Sequence, residues 1–309
     1  MLGLYIHIPY CRSKCRYCDF YSAACAGGVP DAYVDAVCRE IGRFYADGAL
    51  PHPDTLYSGG GTPSLLRPGQ LARLVRAAAP KPGAEVTLEA NPDTVSPALL
   101  EGWLGAGVNR LSLGVQTARD DSLARLGRRH TAAQSRAALR MARNAGFANL
   151  SGDAILVLPG YTADELYETL ALLADGGCTH VSAYLLKIEP DTVFGRRPPD
   201  GLPDDDAAAD FYLAAVERLV ALGFAQYEIS NFARPGYESR HNLIYWNCED
   251  YVGVGPAAHG CLAGRRFSTP RGTAAFLSAP AVYRPEGPCT AEDYIMLRLR
   301  LTEGLSLAA

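Results

Sequence analysis

Short runs of β-branched and aromatic residues alternate with stretches of helical period along roughly the first 230 residues, and each run ends in a turn rich in Gly, Pro, Asn or Asp. The runs Leu4 to Ile8, Thr55 to Ser58, Glu85 to Glu89, Arg110 to Val115, Gly152 to Val157 and Val181 to Leu186 predict six strands, and the helical stretches between them predict a parallel α/β fold. Within the first helical stretch Val34, Val37, Cys38 and Ile41 fall at i, i+3, i+4 and i+7, a face that packs on a sheet. A later helix, Asp206 to Leu222, repeats the arrangement with Leu213, Val216 and Val220, and Gly223 closes it.

In parallel barrels the reactive groups gather where strands end, because the loops there are free to vary. The chemically suggestive residues of this chain lie at such ends. After the first strand comes Cys11-Arg12-Ser13-Lys14-Cys15-Arg16-Tyr17-Cys18, after the second Gly59-Gly60-Gly61-Thr62-Pro63, and after the third Glu89-Ala90-Asn91-Pro92. The fourth strand leads into Gly114-Val115-Gln116-Thr117, and the fifth carries Asp153. Taken singly, Glu89, Gln116 and Asp153 read as capping or turn residues, and Arg128 as a solvated arginine at a helix end. The triple glycine lets backbone N–H groups approach a carboxylate or ribose oxygen, yet it lacks the lysine of a phosphate-binding loop. Lined up on one rim, these residues make a hydrogen-bonding cradle for a polar, nucleoside-like ligand, with Arg128 as a cation suited to a carboxylate.

Three thiolates at i, i+4 and i+7 can wrap one cube-shaped iron-sulfur cluster and leave one iron open to bind a small molecule. A structural zinc knuckle completed by Cys25 or His7 is the plainer reading of the same triplet. Disulfide pairing is not expected, since the chain starts without an apolar signal segment and its cysteine usage suits the cytoplasm. Cys38 and Cys178 fall on apolar faces, as small buried hydrophobes do.

The 309 residues, 48% of them hydrophobic, suffice for one large barrel-like domain or two ordinary ones. A net charge of -4 without a long basic run argues against nonspecific nucleic-acid binding. No apolar stretch approaches the roughly 20 residues needed to span a bilayer.

The ordered set of Tyr5, Cys11-x3-Cys15-x2-Cys18, the Gly59 to Pro63 turn, Glu89, Gln116, Arg128 and Asp153 resembles the radical S-adenosylmethionine superfamily, and within it the oxygen-independent coproporphyrinogen oxidase-like branch. The resemblance implies a partial parallel (β/α)6 barrel over residues 1–235 and, over 236–309, a barrel-covering segment with the start of a smaller, truncated C-terminal domain. Its implied cofactors are a [4Fe-4S] cluster on Cys11, Cys15 and Cys18 and S-adenosylmethionine on the open iron, cleaved by one electron to methionine and a 5′-deoxyadenosyl radical. Gly60, Gly61 and Thr62 would lie against the methionine part, Glu89, Gln116, Arg128 and Asp153 would contact methionine or ribose, and Tyr17 would lie near the adenine.

Genuine coproporphyrinogen oxidases resemble this stretch but carry a further cysteine two residues after the third, where this chain has Phe20. Cys18-Asp19-Phe20-Tyr21 is more similar to the HemW-type heme chaperones. His241-Asn242-Leu243-Ile244-Tyr245-Trp246 also resembles the HNxxYW signature of that group, which is associated with heme. An imidazole at His241 could ligate heme iron while Tyr245 and Trp246 offer flat faces to a porphyrin; His259 is a second candidate and His7 a hydrogen-bonding residue. The resemblance implies a cytoplasmic heme chaperone, monomeric or homodimeric, that passes heme as cargo to hemoproteins such as respiratory cytochromes. The alternative is radical oxidative decarboxylation of coproporphyrinogen III in porphyrin biosynthesis.

Overall fold

Strands buried on both faces set the centre of the molecule. In the computed structural model, which describes residues 1–46, 48 and 50–306, β1 (Leu2–Ile8), β2 (Thr55–Gly60), β3 (Glu85–Ala90), β4 (Arg110–Gln116), β5 (Asn149–Leu156) and β6 (His180–Leu185) lie side by side in chain order, all parallel. The six expected runs are these six strands. The largest difference is at β5, which begins at Asn149 rather than Gly152, because the polar Asn149 and Ser151 interrupt the apolar run although Leu150 and Ser151 are buried.

Helices α1 (Asp31–Tyr45), α2 (Pro68–Ala78), α3 (Pro97–Gly105), α4 (Asp120–Leu126), α5 (Ala132–Ala145), α6 (Ala163–Asp175) and α7 (Asp205–Ala221) follow the strands. On α1 the expected face is the buried one, with Val34, Val37 and Ile41 fully enclosed and Cys38 half-buried. Cys178 is fully enclosed. On α7 the expected face is met only at Val216, half-buried against the core: Leu213 and Val220 are exposed, whereas Ala215 and Leu219 are buried and Phe211 packs edge-on against Tyr161 at 5.0 Å. The inward stripe runs through Phe211, Ala215 and Leu219 at i, i+4 and i+8, so the buried face is rotated away from Leu213 and Val220.

Residues beyond β6 extend the same sheet in both directions. β7 (Ala225–Glu228) and β8 (Asn231–Ala233) join antiparallel beside β6. Helix α8 (Arg240–Trp246) then leads to β9 (Asp250–Val254), which pairs parallel to β1 with Leu4 opposite Val252. Beyond it run antiparallel β10 (His259–Leu262), β11 (Arg265–Ser268) and β12 (Arg284–Pro288), with α9 (Thr273–Ser278) between the last two and α10 (Ala291–Arg298) after them. Among the described residues these twelve strands form one open sheet with β12 and β7 at its edges, a partial barrel.

One irregularity positions a side chain. Between the pairs Leu113–Gly152 and Gln116–Ala154, β4 carries one more residue than β5, and Gln116 ends the bulge with φ at 71°. A bulge of this kind re-aims the residue at its end, and the left-handed backbone there is strained for a side chain other than glycine.

Candidate functional site

The cysteine loop leaves β1 and is tied back on itself. Tyr10–Cys11 pairs with Ala23–Ala24, and the Cys25 N–H donates to the Cys11 carbonyl at 2.7 Å. The Arg16 N–H reaches the Leu126 carbonyl at the end of α4, and the Arg16 carbonyl accepts from Phe194. Thus the loop is anchored by elements more than 100 residues away, at distances of 3.0 and 2.9 Å.

Cys11, Cys15 and Cys18 line one cavity of about 540 Å³ at the carboxyl ends of the strands, together with Tyr17, Gly60, Gly61, Thr62, Glu89, Gln116, Arg128 and Asp153. Two of the sulfurs are joined by a belt of hydrogen bonds. The Thr62 hydroxyl donates to Cys11 Sγ at 3.4 Å and accepts from Asn91 Nδ2 at 3.2 Å; Arg128 Nη2 donates to Asn91 Oδ1 at 3.1 Å, and Arg128 Nη1 reaches Cys15 Sγ at 3.5 Å. The Phe20 N–H serves Cys18.

Donors aimed at each sulfur suit thiolates that carry the charge of an iron-sulfur cluster. The two residues that would complete a zinc knuckle are otherwise engaged. Cys25 Sγ donates to the Gly28 carbonyl at 3.2 Å, and the His7 ring is held by Tyr21 O at 2.7 Å and the Tyr5 hydroxyl at 3.0 Å.

Both carboxyl groups that share the cavity with the thiols are raised by burial. Burial pushes the Glu89 carboxyl up to about 7, against the pull of hydrogen bonds from Tyr57 Oη at 2.7 Å and Gly60 N at 3.2 Å, while the Asp153 charge adds to the rise. Asp153 is likewise raised by burial, partly offset by the Ser112 hydroxyl at 3.2 Å and by Arg110. Two acidic groups of this kind can accept hydrogen bonds from an ammonium or from hydroxyls, and gain when a cation arrives. Arg128 also donates to the Gly114 carbonyl at 2.6 Å, and its Nε is a buried donor with no partner.

Two glycines are required for this approach. At Gly60, where φ is 106°, a Cβ would sit 2.5 Å from the His7 ring; at Gly114 it would sit 2.5 Å from Arg128 Nη2.

Tyr5 lies beside Gly59 and Glu89 but lines a neighbouring cavity rather than that of the thiols. It stacks beside Tyr57, with ring centroids 6.2 Å apart, and with His7 it lines a second cavity of about 540 Å³ formed with Tyr245, Trp246, His259 and Cys289. Side chains alternate along β1, and the face that carries Gly3, Tyr5 and His7 meets His241 of α8 at one end and Tyr21, past the third cysteine, at the other.

The heme signature is divided as well. Tyr245 and Trp246 line the second cavity, but His241 is 1% exposed, with Nδ1 on the Thr55 hydroxyl at 2.6 Å and Nε2 on the Tyr245 hydroxyl at 2.7 Å. Burial lowers its pKa to about 3, so the ring is neutral and both nitrogens are engaged. Asn242 lies in the first turn of α8, where its N–H donates to the Ser239 cap. His259 is exposed beside Glu286, 3.3 Å away.

Several site residues carried no recognisable spacing. Asn91 completes the belt, Tyr57 holds Glu89, and Arg110, 2% exposed on β4, faces the two acidic groups and lowers both. Arg110 looks in sequence like the polar start of a strand, and only its burial distinguishes it.

Residues 5–173 match the Radical SAM superfamily. Among curated proteins, the heme chaperone HemW of Escherichia coli is 42% identical over 264 residues, covering 84% of this chain and 70% of that protein. HemW of Bacillus subtilis is 37% identical over 322 residues, covering 99% and 85%. Among solved structures, the radical SAM enzyme coproporphyrinogen III oxidase (HemN) from Escherichia coli superposes with a TM-score of 0.82 at 23% identity, over 96% of this chain and 74% of that one, a likeness of fold.

Proposed function

From the premise that this chain belongs to the radical SAM superfamily and, within it, to the family of HemW heme chaperones, we propose that it binds heme and delivers it to acceptor hemoproteins such as respiratory cytochromes. It acts in the cytoplasm as a monomer or homodimer. Among the described residues no helix is long and apolar enough to cross a membrane. The observation that carries the reading is the pairing of two cavities that share a wall: one holds the three thiols and the acidic cradle, the other the Tyr245–Trp246 faces, and Asp19 and Phe20 line both.

In the first cavity Cys11, Cys15 and Cys18 would hold a [4Fe-4S] cluster, and Tyr17, Gly60, Gly61, Thr62, Glu89, Gln116, Arg128 and Asp153, which line it with them, would bind S-adenosylmethionine. When bound, these groups supply one-electron cleavage of a sulfonium. The chain's part is to bind and orient: Thr62 and Arg128 donate to sulfur, and Glu89 and Asp153 offer acceptors to the ligand's ammonium and hydroxyls. In the second cavity Tyr245 and Trp246 give a porphyrin its flat contacts, and His241 serves by fixing the Tyr245 hydroxyl.

Phe20, in the place of a further cysteine, sits 67% exposed between the cavities and supports cargo handling rather than decarboxylation. Anaerobic titration of the cluster-loaded protein with hemin, followed by analysis for 5′-deoxyadenosine, tests the proposal. A Soret band from bound heme, with no vinyl product from coproporphyrinogen III, is expected. Protein that gains no such band would overturn the reading.

A further inference from the structure

The second cavity contains a chemistry that the family signature does not use. Three thiols lie on its wall: Cys248 just after α8, Cys261 on β10 and Cys289 just after β12. Cys261 Sγ and Cys289 Sγ are 3.4 Å apart, in hydrogen-bond contact. All three are free thiols, and Cys289 is the more exposed of the contacting pair. The same cavity is lined by Tyr251, the cross-strand partner of Cys261, by Tyr245, its ring centroid 4.6 Å from that of Tyr251 and the planes nearly perpendicular, and by the Trp246 indole, whose Nε1 is buried without a partner. Arg266, paired with Asp293 at 3.2 Å, and Arg271 also line it, with the acidic Asp19 and Glu249.

We infer that this cavity receives the heme and that Cys289, with Cys261 as its hydrogen-bond donor, is the iron's axial ligand in place of His241. This rests on the heme-binding reading above and names the donor within it. The thiols do not converge on a point suited to a bare ion, whereas an iron already held in plane by a macrocycle needs only one axial donor. Flat aromatic walls suit the macrocycle, and the Arg271 guanidinium suits one of its carboxylates, Arg266 being paired with Asp293 at 3.2 Å. His241, by contrast, has no free nitrogen: it would have to leave Thr55 or Tyr245 to reach a metal.

The bond forms without redox change. Cys289 gives its S–H proton to water, and the sulfur donates an electron pair to iron(III). Cys261, the more buried of the two, lies 3.4 Å from Cys289 Sγ and donates to the ligating sulfur, as outer hydrogen bonds to metal ligands do.

The test is hemin titration of the full chain followed by optical and EPR spectroscopy of the ferric complex. Wild-type protein is expected to show a thiolate-ligated spectrum. Cys289→Ser should lose that signature and bind hemin at least about tenfold more weakly, and Cys289→His should convert the spectrum to the imidazole type. His241→Gln should leave the thiolate signature in place. An unchanged spectrum in Cys289→Ser, or an imidazole-type wild-type spectrum abolished by His241→Gln, overturns the assignment while leaving heme binding intact. Absence of any hemin complex with wild-type protein overturns the underlying reading, and this assignment with it. Circular dichroism of each variant separates loss of ligand from loss of fold.

Discussion

The two cavities are equal in volume, at about 540 Å³ each, but differ in how they are built. The first is assembled from consecutive strand ends and is cross-linked by polar contacts, from Cys11 through Thr62, Asn91 and Arg128 to Cys15. The second draws Tyr5 and Tyr21 from the start of the chain and Tyr245, Cys289 and Met296 from its far end, and relies on ring packing and loosely held thiols. A site that must hold charged groups in fixed geometry is preorganised by hydrogen bonds; one that must take up and release a large flat molecule needs contact area more than fixed donors.

The sharpest way to break this contrast is to empty the first cavity. Cys15→Ala is expected to remove nearly all cluster iron, measured by iron and sulfide content, and to leave hemin affinity unchanged. Loss of both together would show a single cooperating site. Next in size, Arg128→Ala removes donors from Gly114, Asn91 and Cys15 and should lower stability by about 3 kcal/mol in denaturant unfolding, with Arg128→Lys recovering part.

The pH dependence should also separate the cavities. Because the folded Glu89 carboxyl stands at about 7 against an ordinary 4.5, the folded state keeps a proton that the unfolded chain gives up. Stability from this group is therefore complete below pH 4.5 and lost as pH rises through about 7. The loss is on the order of 2 kcal/mol after discounting for solvent in the cavity. The difference in unfolding free energy between wild type and Glu89→Gln should trace it, and a flat difference would refute it. The smallest effect belongs to the second cavity: Trp246→Ala should weaken hemin binding about tenfold, ~1.4 kcal/mol, without altering S-adenosylmethionine binding.

Much of the first cavity was legible because its residues follow local rules. Cysteine spacing within one loop, and polar residues closing apolar runs, are patterns a linear chain displays; Gly60, Glu89 and Asp153 were found in that way. Gln116 was found too, but the bulge that turns it depends on register with β5 and leaves no trace in β4 alone. Asn91 and Arg110 escaped notice because one reads as a turn residue and the other as a strand's polar start; pairing and burial reveal them. The same limit applies to the second cavity that Tyr5 lines and to the inward stripe of α7, where the partner element decides the direction of a face. His241 was legible as a signature residue, but its two hydrogen bonds depend on Thr55 and Tyr245 and were not. The second cavity has no local spacing, since contacts between residues such as Tyr21 and Thr273 arise only when distant segments meet.

A sheet that stops short of closure leaves two rows of peptide groups able to recruit a neighbour's chain into fibrous assembly. At one end β12 carries Pro285 and Pro288, which lack the N–H that an incoming strand would need. At the other, Glu228 bridges to Leu301, and Ile229 and Thr302 donate to Arg300 and Tyr227, so the C-terminal segment occupies the margin of β7. Both rims are blunted, and a protein whose barrel stays open for its ligands is thereby guarded against edge-to-edge polymerisation.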